Sequence, residues 1–240
     1  SMATEMGAII ILFSPNNEVI RYCESRARKK VEIPVPDPDA KYAEVKTVDV
    51  SLFIPRISLP GKPHQTTDLP DEKIWIDSAF IGSCTNGRIE DLRTVASILE
   101  GRVVADGVVL KIVPATDRVW LQCMEEGLLE IFKESGALVS NAGCAGCAAG
   151  QVGQNGPGEI TISTGNRNFP GKQGQGEVYL ASPSVVAASS VCGYITDAGE
   201  IPAKPEKRPL IQKSSPVSVK KDNTESAERP VEICGRVWYI

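Results

Sequence analysis

The sequence predicts an α/β protein, a three-layer α/β/α domain on a mainly parallel sheet. Two observations carry this. Short apolar runs of strand length alternate with segments of helical period from about residue 73 to residue 197. Strands that alternate with helices pack as a parallel sheet covered on both faces. Each helical segment also opens on a recognisable start signal.

In chain order, GAIIILFSPNNEVIRYCESRARK reads as a strand, a Ser14-Pro15 turn and a helix ending in basic residues. Residues 32–44 are rich in Pro and Asp and predict only short extended stretches. TVDVSLFIPRISLPGKPHQTTDLPD alternates briefly, is broken by four prolines, and reads as a surface crossing. An apolar strand at about Lys73 to Ile81 then enters a small polar loop. The helix that follows carries Ile89, Leu92, Val95, Ala96 and Leu99 on one face. VVLKIVPA is a second buried strand. Thr116 caps a helix that starts at Asp117 and places Val119, Trp120, Cys123, Met124, Leu128, Ile131 and Phe132 at helical spacing. GALVSNAG, EITIST and EVYLAS supply three more strands. PSVVAASSVCGYI opens a helix on a proline. Residues 201–230 hold five prolines among Lys, Glu, Ser and Asp without an apolar period, and read as linker. The final VEICGRVWYI turns apolar again.

At 240 residues the chain can bury a core without disulfide help. With 42% apolar and 5% aromatic residues, that core should be Val, Ile, Leu and Ala. A net charge of −4 without a basic block argues against a nucleic-acid partner. No run approaches the ~18 apolar residues of a membrane span. Seven scattered cysteines, an odd number, read as thiols in a reducing, cytoplasmic compartment.

Three of those cysteines stand out. Cys84 lies in a strand-to-helix loop, SCTNG. Cys144 and Cys147 form GCAGC after another strand, among glycines and alanines that leave room for a bulky group. Both loops should emerge at the carboxyl edge of the sheet, where such folds bind ligands. A thiol at a helix N-terminus has a lowered pKa, which favours the thiolate a metal needs. From the pattern alone an iron–sulfur site, a zinc site and a redox pair all remain open. Structural zinc normally brings a second pair or histidines, and this chain has only His64. Cys23, Cys123, Cys192 and Cys234 read as small core hydrophobes. A second candidate is STGNRNFPGKQGQG, where Arg167 and Lys172 sit among Asn166, Asn168 and Gln173. Two cations on a tight loop suit carboxylates. The competing reading is an exposed polar turn.

Taken in order, these motifs resemble the aconitase/isopropylmalate dehydratase superfamily. IGSCTNGRIEDLR looks like the segment of the first cluster cysteine, and GCAGC like the C-x-x-C that supplies the other two. GNRNFPGKQG resembles the NRNF-x-G-R substrate-carboxylate loop, and YLASPSVVAASSVCGYI the helix that follows it. The resemblance implies a [4Fe-4S] cluster on Cys84, Cys144 and Cys147 (three ligands for four irons, one iron left open). It implies carboxylate or cluster contacts from Asn166, Arg167 and Lys172. MATEMGAIIILF resembles the end of the family's second domain and puts Glu5 on its active-site glutamate, while Ser1 stands where an asparagine is expected. Lys172 stands where the pattern has arginine, and so keeps the charge but loses the bidentate fork.

The implied organisation is 1–45 as a remnant of the preceding domain and 46–200 as the cluster-binding domain. Residues 201–230 are then linker and 231–240 the start of a truncated swivel domain. The implied activity is that of a hydro-lyase isomerising a hydroxy di- or tricarboxylic acid by dehydration and rehydration. The wording leans to the isopropylmalate dehydratase and homoaconitase branch, and so to leucine biosynthesis, rather than to aconitase. The first, second and swivel domains are missing, so the fragment alone is expected to be inactive. A zinc-stabilised, non-catalytic binding domain using the three cysteines and His64 is the rival from another class.

Overall fold

A computed structural model of the chain describes residues 7–203. Among these, the first helix, α1 (Asn17–Ala27), is capped by the Asn16 side chain, which accepts from Val19 N at 2.9 Å. The strand predicted ahead of it is absent: residues 8–16 are irregular, and Ile9, Leu12 and Phe13 are fully or largely exposed. An extended run forms a strand only where a neighbour takes its backbone hydrogen bonds, and none does so here. No residue from 7 to 56 is buried; the core begins at Ile57.

The Pro-rich crossing holds more structure than its sequence suggested. β1 (Arg56–Ser58) and β2 (Thr66–Asp68) pair as an antiparallel hairpin, and β1 also pairs with β7 (Glu177–Leu180). With β3 (Ser78–Gly82), β4 (Val109–Val113), β5 (Leu138–Val139) and β6 (Ile160–Ser163) they form one sheet of order β2-β1-β7-β6-β3-β4-β5. The five strands from β7 to β5 are parallel. The observed fold is therefore the expected three-layer α/β type with a mainly parallel sheet. β3 is the middle one of the five parallel strands and is buried at every residue.

The helices follow their start signals. α2 (Ser83–Asn86) is one turn directly after β3, and α3 (Ile89–Leu99) buries the five apolar residues its period marks. The segment predicted as one helix from Asp117 is two, α4 (Asp117–Glu125) and α5 (Leu128–Glu134). The break is at Gly127, whose φ of +75° suits glycine and ends the helical ladder. Arg93 of α3 donates to both oxygens of Glu126 at this break, at 2.7 and 2.6 Å. α6 (Pro183–Cys192) is capped by Ser182, carries proline at its first position, and is buried from Val185 to Cys192. Among the described residues no helix is long and apolar enough to cross a membrane.

Alternation along the strands separates two apolar clusters. Ala79, Ile81, Leu110, Ile112 and Ile162 point into the main core with α3, α5 and α6. Phe80 and Val113 point the other way and pack on Ala145 and Val152, beneath the cysteine-bearing segment. Cys123 and Cys192 are core residues as expected, whereas Cys23 is exposed because α1 buries nothing; Cys234 lies outside the described residues.

Two outcomes follow. Phe132→Ala, at a fully buried site, should lower stability by about 3–5 kcal/mol in urea unfolding. Burial also pushes the Cys123 thiol up to about 11. The unfolded thiol ionises first as pH rises, so stability falls between the ordinary thiol range and about pH 11. A series of unfolding midpoints against pH should show that decline, and Cys123→Ala should flatten it.

Candidate functional site

β3 and β5 both run parallel to β4, so the segments leaving them emerge at the same edge of the sheet. Cys84 is the second residue of α2. Cys144 precedes, and Cys147 ends, the single 3₁₀ turn Ala145–Cys147, and α2 packs against this turn. The chain can leave β3 this way because residue 82 is glycine. Its φ is +136°, and a Cβ there would lie 1.9 Å from Val113 O. Two of the three non-glycine residues with positive φ among those described flank the cysteines: Ser83 at 61° and Ala145 at 49°. Left-handed backbone at such residues costs energy and persists only where the surroundings impose it.

Those surroundings are polar and specific. Ala145 N donates to Gln151 Oε1 (3.0 Å), and Gln154 Nε2 donates to Gly146 O (2.7 Å). Lys111 Nζ, whose pKa burial lowers, donates in turn to Gln154 O (3.0 Å). The cation-bearing loop is tied in through Thr164. Its hydroxyl accepts from Gly82 N (2.9 Å), its carbonyl from Asn86 Nδ2 (2.5 Å), and its own N–H donates to Phe80 O (2.9 Å). The segments that carry Cys84, the C-x-x-C pair and Arg167 are thus connected by hydrogen bonds.

Cys84 and Cys144 are exposed and Cys147 is half-buried. Cys84 Sγ stands 3.6 Å from Thr85 Oγ1. The Cys144 thiol is pushed up, first by partial desolvation and then by Cys147 and Cys84, while Lys172 pulls it down. This corrects the expectation of a lowered value for this cysteine. Its 3₁₀ turn is too short to act as a helix N-terminus, and neighbouring thiolates repel one another. Cys147, Cys84 and Lys172 thus all act on the Cys144 thiol. Among the described residues no three of His, Cys, Asp or Glu stand as a formed set of metal ligands. The donors nevertheless suit an iron–sulfur cluster. They are three thiols on two adjoining turns, with open backbone at Gly143, where a Cβ would meet only Gln151 Oε1 at 3.9 Å.

Asn166, Arg167 and Lys172 are all half-buried, and Asn166 and Arg167 are both engaged in interactions. The tip of the loop, residues 169–171, is exposed, while its flanks are anchored from within. Asn168 Nδ2 donates to Leu59 O (2.7 Å) and Val178 O (3.0 Å), and Gly61 N donates to Asn168 O (3.2 Å). The β1–β2 turn therefore buttresses the cation loop. His64 is exposed on that turn, and Glu5 lies outside the described residues.

The profile of the Aconitase family (aconitate hydratase) matches residues 69–193, more than half of the chain. This chain belongs to the aconitase family. The match spans both cysteine segments and the cation loop. A 3-isopropylmalate dehydratase large subunit of Hydrogenobaculum sp. (strain Y04AAS1) is 46% identical over 204 residues, 84% of this chain and 48% of that protein. A probable 3-isopropylmalate dehydratase large subunit of Methanothermobacter thermautotrophicus is 43% identical over 204 residues, 84% of this chain and 49% of its own length. A 3-isopropylmalate dehydratase large subunit of Pyrococcus furiosus is 43% identical over 206 residues. The chain spans about half the length of the curated relatives it matches.

Sequence reasoning passed over Thr164, Gln151 and Gln154 and gave Gln173 only a mention. Their one signal was a set of long or branched polar side chains inside glycine-rich runs. For this aconitase-family loop, Asn168→Asp should set a carboxylate against two carbonyl oxygens and cost ~3 kcal/mol or more, against ~1–3 for Asn168→Ala. Urea midpoints of the two variants should fall in that order.

Proposed function

We propose that this chain supplies the cluster-binding domain of a [4Fe-4S] hydro-lyase, with 3-isopropylmalate as the hydroxy-acid substrate. What supports the reading is that the segments carrying Cys84 and the Cys144–Cys147 turn leave parallel strands at one edge of the sheet and pack on each other. Large subunits of 3-isopropylmalate dehydratases are 42–46% identical to the chain, which supports the substrate.

In this reading Cys84, Cys144 and Cys147 hold the cluster. When bound, the cluster supplies an iron without a protein ligand, a Lewis acid for the substrate's hydroxyl and carboxylate. Arg167 grips a carboxylate through its planar fork, Lys172 adds a point charge, and Asn166 offers a neutral amide. Lys172 in place of the family's arginine loosens orientation more than attraction. Glu5 is, in this reading, the counterpart of the family's active-site glutamate.

The bare first stretch of the chain accords with 1–45 being a remnant of a preceding domain, where Ile9, Leu12 and Phe13 expect a cover. Residues 46–200 form the cluster domain, 201–230 a linker and 231–240 the start of a swivel domain. The swivel domain supplies the group that takes the carbon-bound proton and the first domain supplies acid groups, so the 240-residue chain alone does not turn over. The enzyme works in the cytoplasm, where its thiols stay reduced.

Anaerobic reconstitution of the 240-residue chain should yield about four iron and four sulfide per chain with visible thiolate–iron absorption. Serine at any of the three cysteine positions should abolish most of that absorption. About one zinc per chain and no sulfide would instead favour the non-catalytic binding domain. In the assembled enzyme, Arg167→Lys should lower kcat/KM for 3-isopropylmalate by at least ~100-fold. Near-normal kinetics would remove Arg167 from the site.

A further inference from the structure

In the loop 165–173 each cation is followed by a buried amide: Arg167 by Asn168 and Lys172 by Gln173, both amides only 3% exposed. The two amides face different parts of the fold. Asn168 ties the loop to the β1–β2 turn, as described. Gln173 reaches toward the cysteines. Its Nε2 donates to Gly153 O (3.0 Å), its Oε1 accepts from Ser163 Oγ (2.9 Å), and its backbone carbonyl accepts from Asn155 N (3.0 Å). Its side chain lies against Gly146, the residue between Cys144 and Cys147. A Cβ on Gly146 would come within 3.0–3.2 Å of Gln173 Nε2, Cδ and Cγ.

The polarity of this arrangement is fixed. Gly165 N donates to Ser163 Oγ (3.0 Å), and the serine hydroxyl's own proton goes to Gln173 Oε1. Flipping the amide would turn its oxygen on the carbonyl of Gly153. A buried amide satisfied at both ends has one rotamer and one orientation. It therefore acts as a spacer between the end of β6, the C-x-x-C turn and the backbone that carries Lys172.

We propose that Gln173 is a positioning residue, which fixes the gap between Lys172 and the Cys144–Cys147 turn and so the place of a substrate carboxylate relative to the cluster. This rests on the carboxylate role given to Lys172 above. Gln173 touches neither substrate nor cluster; it acts through its neighbour. Glutamine suits the task because it offers a donor and an acceptor at fixed separation without adding a charge beside three thiols. Methionine matches it in length and volume but makes neither hydrogen bond.

The test is Gln173→Met in the assembled, cluster-loaded enzyme, alone and combined with Lys172→Ala. KM should rise at least ~10-fold, the loss of one to two net hydrogen bonds' worth of positioning, with kcat within about threefold. Calorimetric affinity for malonate, a dicarboxylate that cannot react, should fall by the same factor, while the cluster's visible absorption is unchanged. On the Lys172→Ala background the substitution should change KM less than about twofold, because the residue it serves is gone. An unchanged KM, or an equal rise on both backgrounds, overturns the proposal and leaves Gln173 as a support of the fold. If Lys172→Ala itself leaves KM and malonate binding untouched, the carboxylate role of Lys172 fails as well, a separate outcome read from a separate variant. Should thermal melting show Gln173→Met to be misfolded, Ser163→Ala, which removes one of the two bonds, is judged by the same criteria.

Discussion

The close approach of β3 and β4 at Gly82 governs the carboxyl edge of this domain. With Val113 O only 1.9 Å from where a Cβ would stand, no other residue type fits without moving a central strand. Because the backbone passes there with a φ reserved in practice for glycine, it can turn straight into α2 and carry Cys84 out over the edge. Thr164 then reads the result from the other side, accepting from Gly82 N and Asn86 Nδ2. That exchange holds the Cys84 turn against the start of the cation loop.

Neutral side-chain amides hold much of the backbone around the site. Gln151, Gln154, Asn168 and Gln173 hold backbone carbonyls and N–H groups of the two loops. Salt bridges among the described residues, such as Arg93 with Glu126, lie on the partly exposed surface, where such pairs contribute little. Amides are well matched to this location. They immobilise backbone without competing electrostatically for an anionic ligand or for a metal's thiolates.

Much of the scaffold was legible in the sequence because it obeys local rules. The period of Ile89 to Leu99, the caps at Thr116 and Ser182, and the short apolar strands all reappear. The run at 8–13 misled because its strand-like composition finds no neighbour. The helix from Asp117 breaks at a glycine whose apolar flanks continue in phase, so periodicity alone hid the interruption. The hairpin of β1 and β2 was masked by prolines that fall at its ends and turn rather than within its ladder. At the site, the spacing of cysteines and cations was visible, but its supports were not. A glutamine that bridges residues 153 and 163 leaves no periodic trace, and the Cys144 thiol is set first by partial desolvation, which its exposed-looking small-residue sequence does not signal.

The outermost strands have a further consequence. β2 is three residues long and its Asp68 is held by Arg56 at 3.0 Å, while β5 is two residues long. Such stubs offer too few free backbone groups to template another strand. Among the described residues the sheet therefore offers little free edge at either flank. Contacts of this domain with other protein then fall to side chains, on the apolar stretch before β1 or on the helical surfaces, more readily than to a shared sheet.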